Sequence, residues 1–444
     1  MKKSKKFFLE TYGCQMNFSD SEIITSILTQ RGYNLTIDPD KADIVFINTC
    51  SIRANAEERV KKRLQFFKSL KKRNPALMIG LLGCMANRTK TALGDDEHLL
   101  DLIAGPDAYR DLPFLIEQAF SGQKAINTIL SEDETYADIT PVRRGPDGVT
   151  AFISIMRGCE NYCSYCVVPF TRGRERSRDS GSIVAETREL FNQGYREVTL
   201  LGQNVNSYQW GPPGERVDFT NLLEQVAGVD PFMRIRFATS HPKDIPDALL
   251  HAIAEHDNIC KSIHLPAQSG SNHMLALMNR NYTREQYMDR IRAIREIIPG
   301  CSISTDIITG FCNETEEDHR QTLSLMEWAK YDFAYMFKYS ERPQTRAAKT
   351  MKDNIAEPVK KRRLNEIIDL QQHLSFESNK NDVGKMFPTL IEGESKRSKL
   401  HQFGRNTQNK VLVFPKTKAN PGTYVNIRVT HFTSATLLGE IAVS

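Results

Sequence analysis

Apolar positions in the first hundred residues fall in short runs separated by longer amphipathic stretches. Phe7 to Glu10, Asp43 to Asn48 and Leu77 to Leu82 read as strands. Between them, Asp20 to Gly32 and Asn55 to Lys72 place apolar side chains at helical spacing, with Gly32 and Asn74-Pro75 as stops. Strand–helix–strand repetition predicts a parallel, doubly wound α/β sheet over residues 1–130. Residues 131–149 are polar, carry Pro and Gly, and read as a linker.

From Thr150 the alternation restarts and runs longer. Candidate strands are Phe152–Met156, Glu197–Leu201, Arg234–Ala238, Ser262–Leu265, Ser302–Ile307 and Phe333–Tyr339. Helical patterns fill the gaps at Ile183–Gln193, Ile245–Glu255, Arg284–Ile297 and Glu316–Lys330. Six βα units fall short of the eight that close a TIM barrel, so an open, partial (β/α)6 barrel is expected over residues 150–378, with Val359–Ser378 as one more helix. Residues 379–444 change period. Thr389–Glu392, Lys410–Phe414, Tyr424–Val429 and Leu437–Ile441 predict a small antiparallel β-barrel.

Charge sharpens the picture of that tail. The formal net charge is +5, and all of it lies after Asn381, where six Lys and three Arg face one Asp and three Glu. A basic barrel on a neutral body suggests a polyanionic partner, although a solvated lysine-rich face gives the same count. Hydrophobic content of 40% and charged content of 25% are those of an ordinary globular chain. No run approaches the about 20 apolar residues of a membrane span. The apolar start is broken at Glu10, short of the roughly 7–15 residues of a secretory core. The expectation is a cytoplasmic protein without membrane contact, whose clustered cysteines bind metal rather than pair as disulfides.

Nine cysteines are present, and six of them carry the chemistry. Cys159, Cys163 and Cys166 form C-x3-C-x2-C just after the first strand of the second domain. Three thiolates on one tight loop suit three irons of a [4Fe–4S] cluster, leaving the fourth iron open to a ligand. A zinc site would need a fourth Cys or His close by, and none lies there. Cys14, Cys50 and Cys84 are far apart in sequence, yet each directly follows a strand: LETYGC, FINTC and GLLGC. The carboxyl ends of parallel strands line one crevice, so these three thiols should meet and form a second metal site. The Gly before Cys14 and before Cys84 fits a tight turn out of a strand. Cys260 and Cys301 read as core, and Cys312 as a bystander beside the expected active site.

MRGCENYCSYC resembles the radical-SAM signature, and the resemblance extends along the whole chain to the methylthiotransferases. YGCQMN, INTCSIR and LGCMANR match the first domain of that family. CVVPFTRGRERSR, LLGQNVNSY, RFATSHP and HLPAQSGS match its barrel, and EGESKRSKLHQFGRNTQNKVLVF is similar to its C-terminal TRAM barrel. GCQMN followed by NTCSIR looks like the branch that acts on N6-isopentenyladenosine beside the anticodon of tRNA. Rival readings keep the chemistry and change the target to threonylcarbamoyl-adenosine tRNA or a ribosomal protein, or make the chain a two-cluster electron carrier with an RNA-binding tail.

The resemblance implies two [4Fe–4S] clusters and two S-adenosylmethionine (SAM) molecules per product. One SAM methylates a sulfur carried at the Cys14, Cys50 and Cys84 site; the other, at Cys159, Cys163 and Cys166, is the radical source. It also implies a sulfur donor, an electron donor such as flavodoxin or ferredoxin, and a monomer that binds the tRNA anticodon loop. Tyr165 is expected beside the adenine of SAM. Gln203, Gln268 and Asp306 are the polar candidates at barrel strand ends, each equally readable as a capping side chain. Arg397, Lys399 and Arg405 are the expected phosphate contacts, with His401 and Phe403 interleaved. The chain departs from the family at Cys312, where Pro is usual, and at Gln344, where Gly is frequent.

Overall fold

The computed structural model describes residues 4–50, 54–88, 98–143 and 148–442. Its first sheet has six parallel strands, in the spatial order Asn34–Leu35, Lys6–Tyr12, Ile44–Thr49, Met78–Leu82, Leu102–Ala104, Ala125–Asn127. The alternation within Ile44–Thr49 explains why it is wound on both faces. Ile44 and Phe46 join the core under helices Gln15–Gln30 and Leu112–Phe120, while Val45 and Ile47 join a second core under helix Ala54–Arg73.

Helix Gln15–Gln30 is buried on two sides. Ile23, Ile24, Ile27 and Leu28 face the sheet. Its polar residues Asn17, Asp20, Ser21 and Glu22 are buried as well. Asp20 meets arginines of the barrel domain and Glu22 an arginine of the linker, which accounts for a helix so poor in apolar periodicity.

The expected linker is not a loose tether. Tyr136 is fully buried, stacks on Tyr109 at 5.7 Å, and donates its hydroxyl to the Pro106 carbonyl at 3.0 Å. Arg143, further along it, pairs with Glu22 of the first domain at 2.8 Å and with Glu186 of the second. Polar composition marked the segment as a loop, but one aromatic and one arginine anchor it.

Six parallel strands build the second domain as two three-stranded sheets. One contains Thr150–Ser154, Glu197–Leu201 and Arg234–Ala238; the other Ser262–His264, Ser302–Thr309 and Phe333–Lys338. A bridge between Ile235 and Ile259 joins them, and the two outermost strands do not pair. The result is the expected partial barrel. Most of its helices start on side-chain caps, including full capping boxes at Thr283 and Thr315. Helix Glu357–Lys380 packs outside the last strand, where Gln371 donates to the Tyr331 carbonyl and Ser375 to that of Asp332.

The tail is a closed barrel of five strands, Met386–Glu394, His401–Arg405, Val411–Pro415, Leu437–Ile441 and Tyr424–Phe432. Two details correct the sequence reading. His401–Arg405 is a strand, hidden in sequence because HQFGR has a single large apolar residue. Val411–Pro415 and Leu437–Ile441 pair in parallel, so the barrel is not wholly antiparallel. It docks on the N-terminal ends of the second domain's strands. Arg234 and Arg236 share the Glu197 carboxylate at 2.5 and 2.8 Å and donate to the carbonyls of Arg405 and Asn406 at 2.6 and 2.7 Å.

Candidate functional site

The carboxyl ends of the first sheet's strands bring Cys14, Cys50 and Cys84 together. Gly13 and Gly83 make this possible, with φ of +128° and +85°. A Cβ on Gly13 would lie 2.4 Å from the Cys50 Cβ, and one on Gly83 2.3 Å from Asn48 Oδ1. Two asparagines lock the turns. Cys14 Sγ donates to Asn17 Oδ1 at 3.2 Å, Asn17 Nδ2 to Asn48 Oδ1 at 3.3 Å, and Asn48 Nδ2 back to the Asn17 carbonyl at 2.8 Å.

Cys14 and Cys84 differ in acidity. The neighbouring Cys50 thiol, followed by the Arg172 guanidinium and the Asn17 backbone amide, draws Cys14 below the usual thiol value against the pull of burial. Burial pushes Cys84 up, although Arg172 Nε donates to its sulfur at 3.1 Å.

Cys159, Cys163 and Cys166 lie on the loop after the first barrel strand, and a second segment pins it. Ser164 bonds the carbonyls of Met278 and Leu277, at 3.0 Å through its N–H and 2.7 Å through Oγ. Arg280 Nη1 donates to Cys163 Sγ at 3.2 Å and to the Tyr165 hydroxyl at 3.4 Å. Burial pushes Cys159 up to about 11 and raises Cys166 as well. A coordinated metal reverses this, because it deprotonates the thiol outright.

Among the described residues, no group of three or more His, Cys, Asp and Glu closes on a single ion. Cluster ligands each take a different iron and stand further apart than the ligands of one zinc. The donor set therefore fits a cluster: three thiols on a pinned loop, with no fourth Cys or His drawn in.

The other expected residues separate. Gln203 is at the loop itself, its Oε1 accepting the Gly158 N–H at 2.5 Å. Gln268 is buried at φ +65°, and its N–H bonds the Asp306 carbonyl at 2.8 Å. The Asp306 carboxylate lies 3.5 Å from His264 Nε2. Tyr165 packs edge-on to Phe311 beside a cluster of Met274, Met278, Cys312 and Tyr339. Cys312 is thus enclosed, and Cys260 is buried too.

Sequence reasoning missed a set of polar atoms at the same strand ends. Ser154 Oγ, both amide atoms of Asn206, Ser240 Oγ and His241 Nε2 are buried without a partner. Buried polar groups are rarely left so, and these five atoms could bond a polar ligand at this end of the barrel. Their signal was available in part: Ser154 ends a strand that the pattern had located, and the other three stand two to five residues beyond such strands.

In the tail, Arg397 and Lys399 project from an exposed turn with Lys396. Arg405 does not stand free, because its guanidinium pairs with the buried Glu392 at 2.5 Å. His401, Phe403 and Arg405 share one face of their strand, with Gln402 and Gly404 turned inward.

Three family models match the chain in order: the uncharacterized protein family UPF0004 over residues 6–105, the radical SAM superfamily over 153–326, and the TRAM domain over 380–442. The barrel domain is thus of the kind that uses a [4Fe–4S] cluster and SAM. Among solved structures, the chain is similar to the radical S-adenosylmethionine methyltransferase TsrM from Kitasatospora setae, with a TM-score of 0.57 at 15% identity over 78% of this chain and 75% of that one. It is also similar to the cobalamin-dependent radical enzyme OxsB, at 0.53 and 14% over 83% and 56%. These show the fold.

Curated relatives named tRNA-2-methylthio-N(6)-dimethylallyladenosine synthase are much nearer. That of Amoebophilus asiaticus is 57% identical over 99% of this chain and 93% of its own length. Those of Bacteroides thetaiotaomicron and Chloroherpeton thalassium are 56% and 55% identical over 98% of this chain and 96% of theirs. With such identity running through all three domains, the chain belongs to the family of tRNA-2-methylthio-N(6)-dimethylallyladenosine synthases.

Proposed function

We propose that this protein is a radical-SAM tRNA methylthiotransferase, which exchanges the C2–H bond of N6-isopentenyladenosine beside the anticodon for a C2–S–CH3 bond. The observation that carries the reading is the occurrence of two cysteine triads, each at the strand ends of a parallel domain, with Arg172 of the helix that follows Cys166 donating to Cys84 of the other triad. Cys159, Cys163 and Cys166 would hold the cluster that binds SAM, and Cys14, Cys50 and Cys84 a second [4Fe–4S] cluster. Bound there, these groups supply sulfur, a methyl group and one-electron chemistry, which a C–H bond without useful acidity requires.

The chain's own residues hold and shield. Gln203 and Ser164 fix the cysteine loop, Arg280 orients Cys163, and the Phe311, Cys312 and Tyr339 cluster keeps water from behind Tyr165. Ser154, Asn206, Ser240 and His241 join Tyr165, Gln268 and Asp306 as candidates to hold SAM and the adenine. The exposed turn with Arg397 and Lys399 would meet phosphates of the tRNA.

The domains divide at 1–130, 150–378 and 379–444, with the strap 131–149 between the first two. The protein works as a cytoplasmic monomer, with a separate sulfur donor and a flavodoxin- or ferredoxin-like electron donor. No helix among the described residues is long and apolar enough to cross a membrane.

Nucleoside mass spectrometry of tRNA from cells with and without the gene is the direct test. Loss of 2-methylthio-N6-isopentenyladenosine and build-up of its unthiolated precursor are expected. An unchanged level, with loss instead from threonylcarbamoyl-adenosine or a ribosomal protein, transfers the protein to a rival target. Anaerobically reconstituted protein should hold about eight irons. Changing Cys50 to Ala should spare reductive SAM cleavage and abolish the product; loss of both would reduce the first domain to a support.

A further inference from the structure

Arg172 belongs to the barrel domain, yet its guanidinium ends in the first domain. It is the last residue of the short helix Val168–Arg172, which begins two positions after Cys166. Its Nη2 donates to Asp20 Oδ2 at 2.6 Å and its Nε to Cys84 Sγ at 3.1 Å, while Nη1 is buried with no partner. The side chain is 3% exposed.

Charge around it does not balance. Arg157 reaches Asp20 at 3.0 Å and Asp107 at 3.7 Å, and Arg176 pairs with Asp107 at 3.0 Å. Three buried guanidiniums thus share two buried carboxylates. The other polar groups facing them, among the described residues, are the neutral phenols of Tyr109 and Tyr136 and the thiols of Cys84 and Cys14. Guanidinium stays protonated in proteins, so among the described residues one positive charge has no carboxylate to balance it, and an isolated buried charge is costly. It points at three thiols. A [4Fe–4S] cluster in its 2+ state, held by three thiolates, carries one net negative charge.

We propose that Arg172 is the positioning residue of the Cys14, Cys50 and Cys84 site, supplying from the other domain the counter-charge and the N–H donors that a cluster there requires. The proposal rests on the second-cluster reading above. It makes the ligand loop of one triad the carrier of the other triad's electrostatic partner. Donors and positive charge beside cluster sulfur favour the reduced form, so Arg172 should raise that cluster's potential.

The test uses full-length protein carrying Cys159, Cys163 and Cys166 all changed to Ala, which leaves the Cys14 site alone. Iron content comes first: about four irons are expected, and none would sink the second-cluster reading itself. On that background, Arg172→Gln should lower the midpoint potential in an EPR-monitored titration by about tenfold in the reduced-to-oxidised ratio, ~59 mV for one electron. Arg172→Lys should recover part of the shift. Arg157→Lys disturbs the same domain contact without touching a thiol and should leave the potential in place. If Arg172→Gln fails to fold, Arg172→Met, which removes the same charge and donors and buries no new polar group, is read instead. A four-iron protein whose potential ignores Arg172, or moves equally with Arg157, overturns the proposal.

Discussion

Gln203 Oε1 accepts the backbone N–H of Gly158 at 2.5 Å, so the end of the second barrel strand holds the first turn of the cysteine loop. A side chain expected to contact SAM is thereby a brace for the metal loop. Gln203→Leu removes the acceptor and leaves that N–H unpaired, a cost of about 1–3 kcal/mol. The variant should lose iron faster than wild type under a chelator challenge, whereas Gln203→Glu, which keeps the acceptor, should not. Equal iron loss from both would show that the bond does not matter.

The tail arginines should behave differently from one another. Arg397 and Lys399 are exposed and form no ion pair among the described residues. Changing them to Gln should flatten the salt dependence of tRNA binding by about 0.7–0.9 for each phosphate no longer neutralised. Arg405→Gln instead strands the buried Glu392, which burial already pushes up. Its expected effect is a stability loss of about 1–3 kcal/mol, seen in thermal unfolding. Binding curves that keep their slope when Arg397 and Lys399 are changed would remove the turn from the RNA surface.

His241 gives a pH signature. Burial, and after it the charges of Arg280 and Lys243, holds its imidazole down to about 2, from an ordinary 6.5. The unfolded chain therefore takes up a proton below pH 6.5 that the fold refuses, so stability is full above that value and declines as pH falls toward 2. Each unit is worth about 1.4 kcal/mol. Urea unfolding at pH 7.5 and 5.5 should show about that much more acid loss in wild type than in His241→Gln. Matching losses would mean that the ring is protonated in the fold.

Gln344 stands at φ +75°, in the left-handed region, on an exposed turn. A side chain pays there for a conformation that glycine reaches freely. Gln344→Gly should stabilise the protein by about 0.5–1 kcal/mol, read as a raised urea midpoint. A lowered midpoint would mean that the Gln side chain makes a stabilising contact.

Glu197–Leu201, Arg234–Ala238 and helix Arg284–Ile297 lie where the sequence pattern puts them, because the two strands are short runs buried on both faces, and the helix is buried on one face and capped by Thr283. Leu102–Ala104 and Ala125–Asn127 were illegible. Three residues hold too little alternation, and these strands exist because the sheet beside them offers a free edge. The cysteines were readable because one triad is a local C-x3-C-x2-C run and each member of the other closely follows a strand. Arg172 and Arg280 were not, because a guanidinium that reaches a thiol 88 or 117 positions away leaves no local trace. The ion pair of Arg405 was illegible for a related reason: composition counts its charge, but only the fold reveals Glu392 against it.

The tail barrel is bolted to the N-terminal end of strand Arg234–Ala238, in the same parallel sheet as Thr150–Ser154, whose C-terminal end leads into the cysteine loop. A five-residue strand is about 17 Å long, and the guanidinium–carbonyl bonds between the domains leave little slack. For an RNA gripped at both ends, the protein is a gauge. A free nucleoside or a short oligonucleotide can satisfy one jaw but not span to the other, and two modest affinities multiply only when their separation fits. Selection by distance would precede any reading of bases.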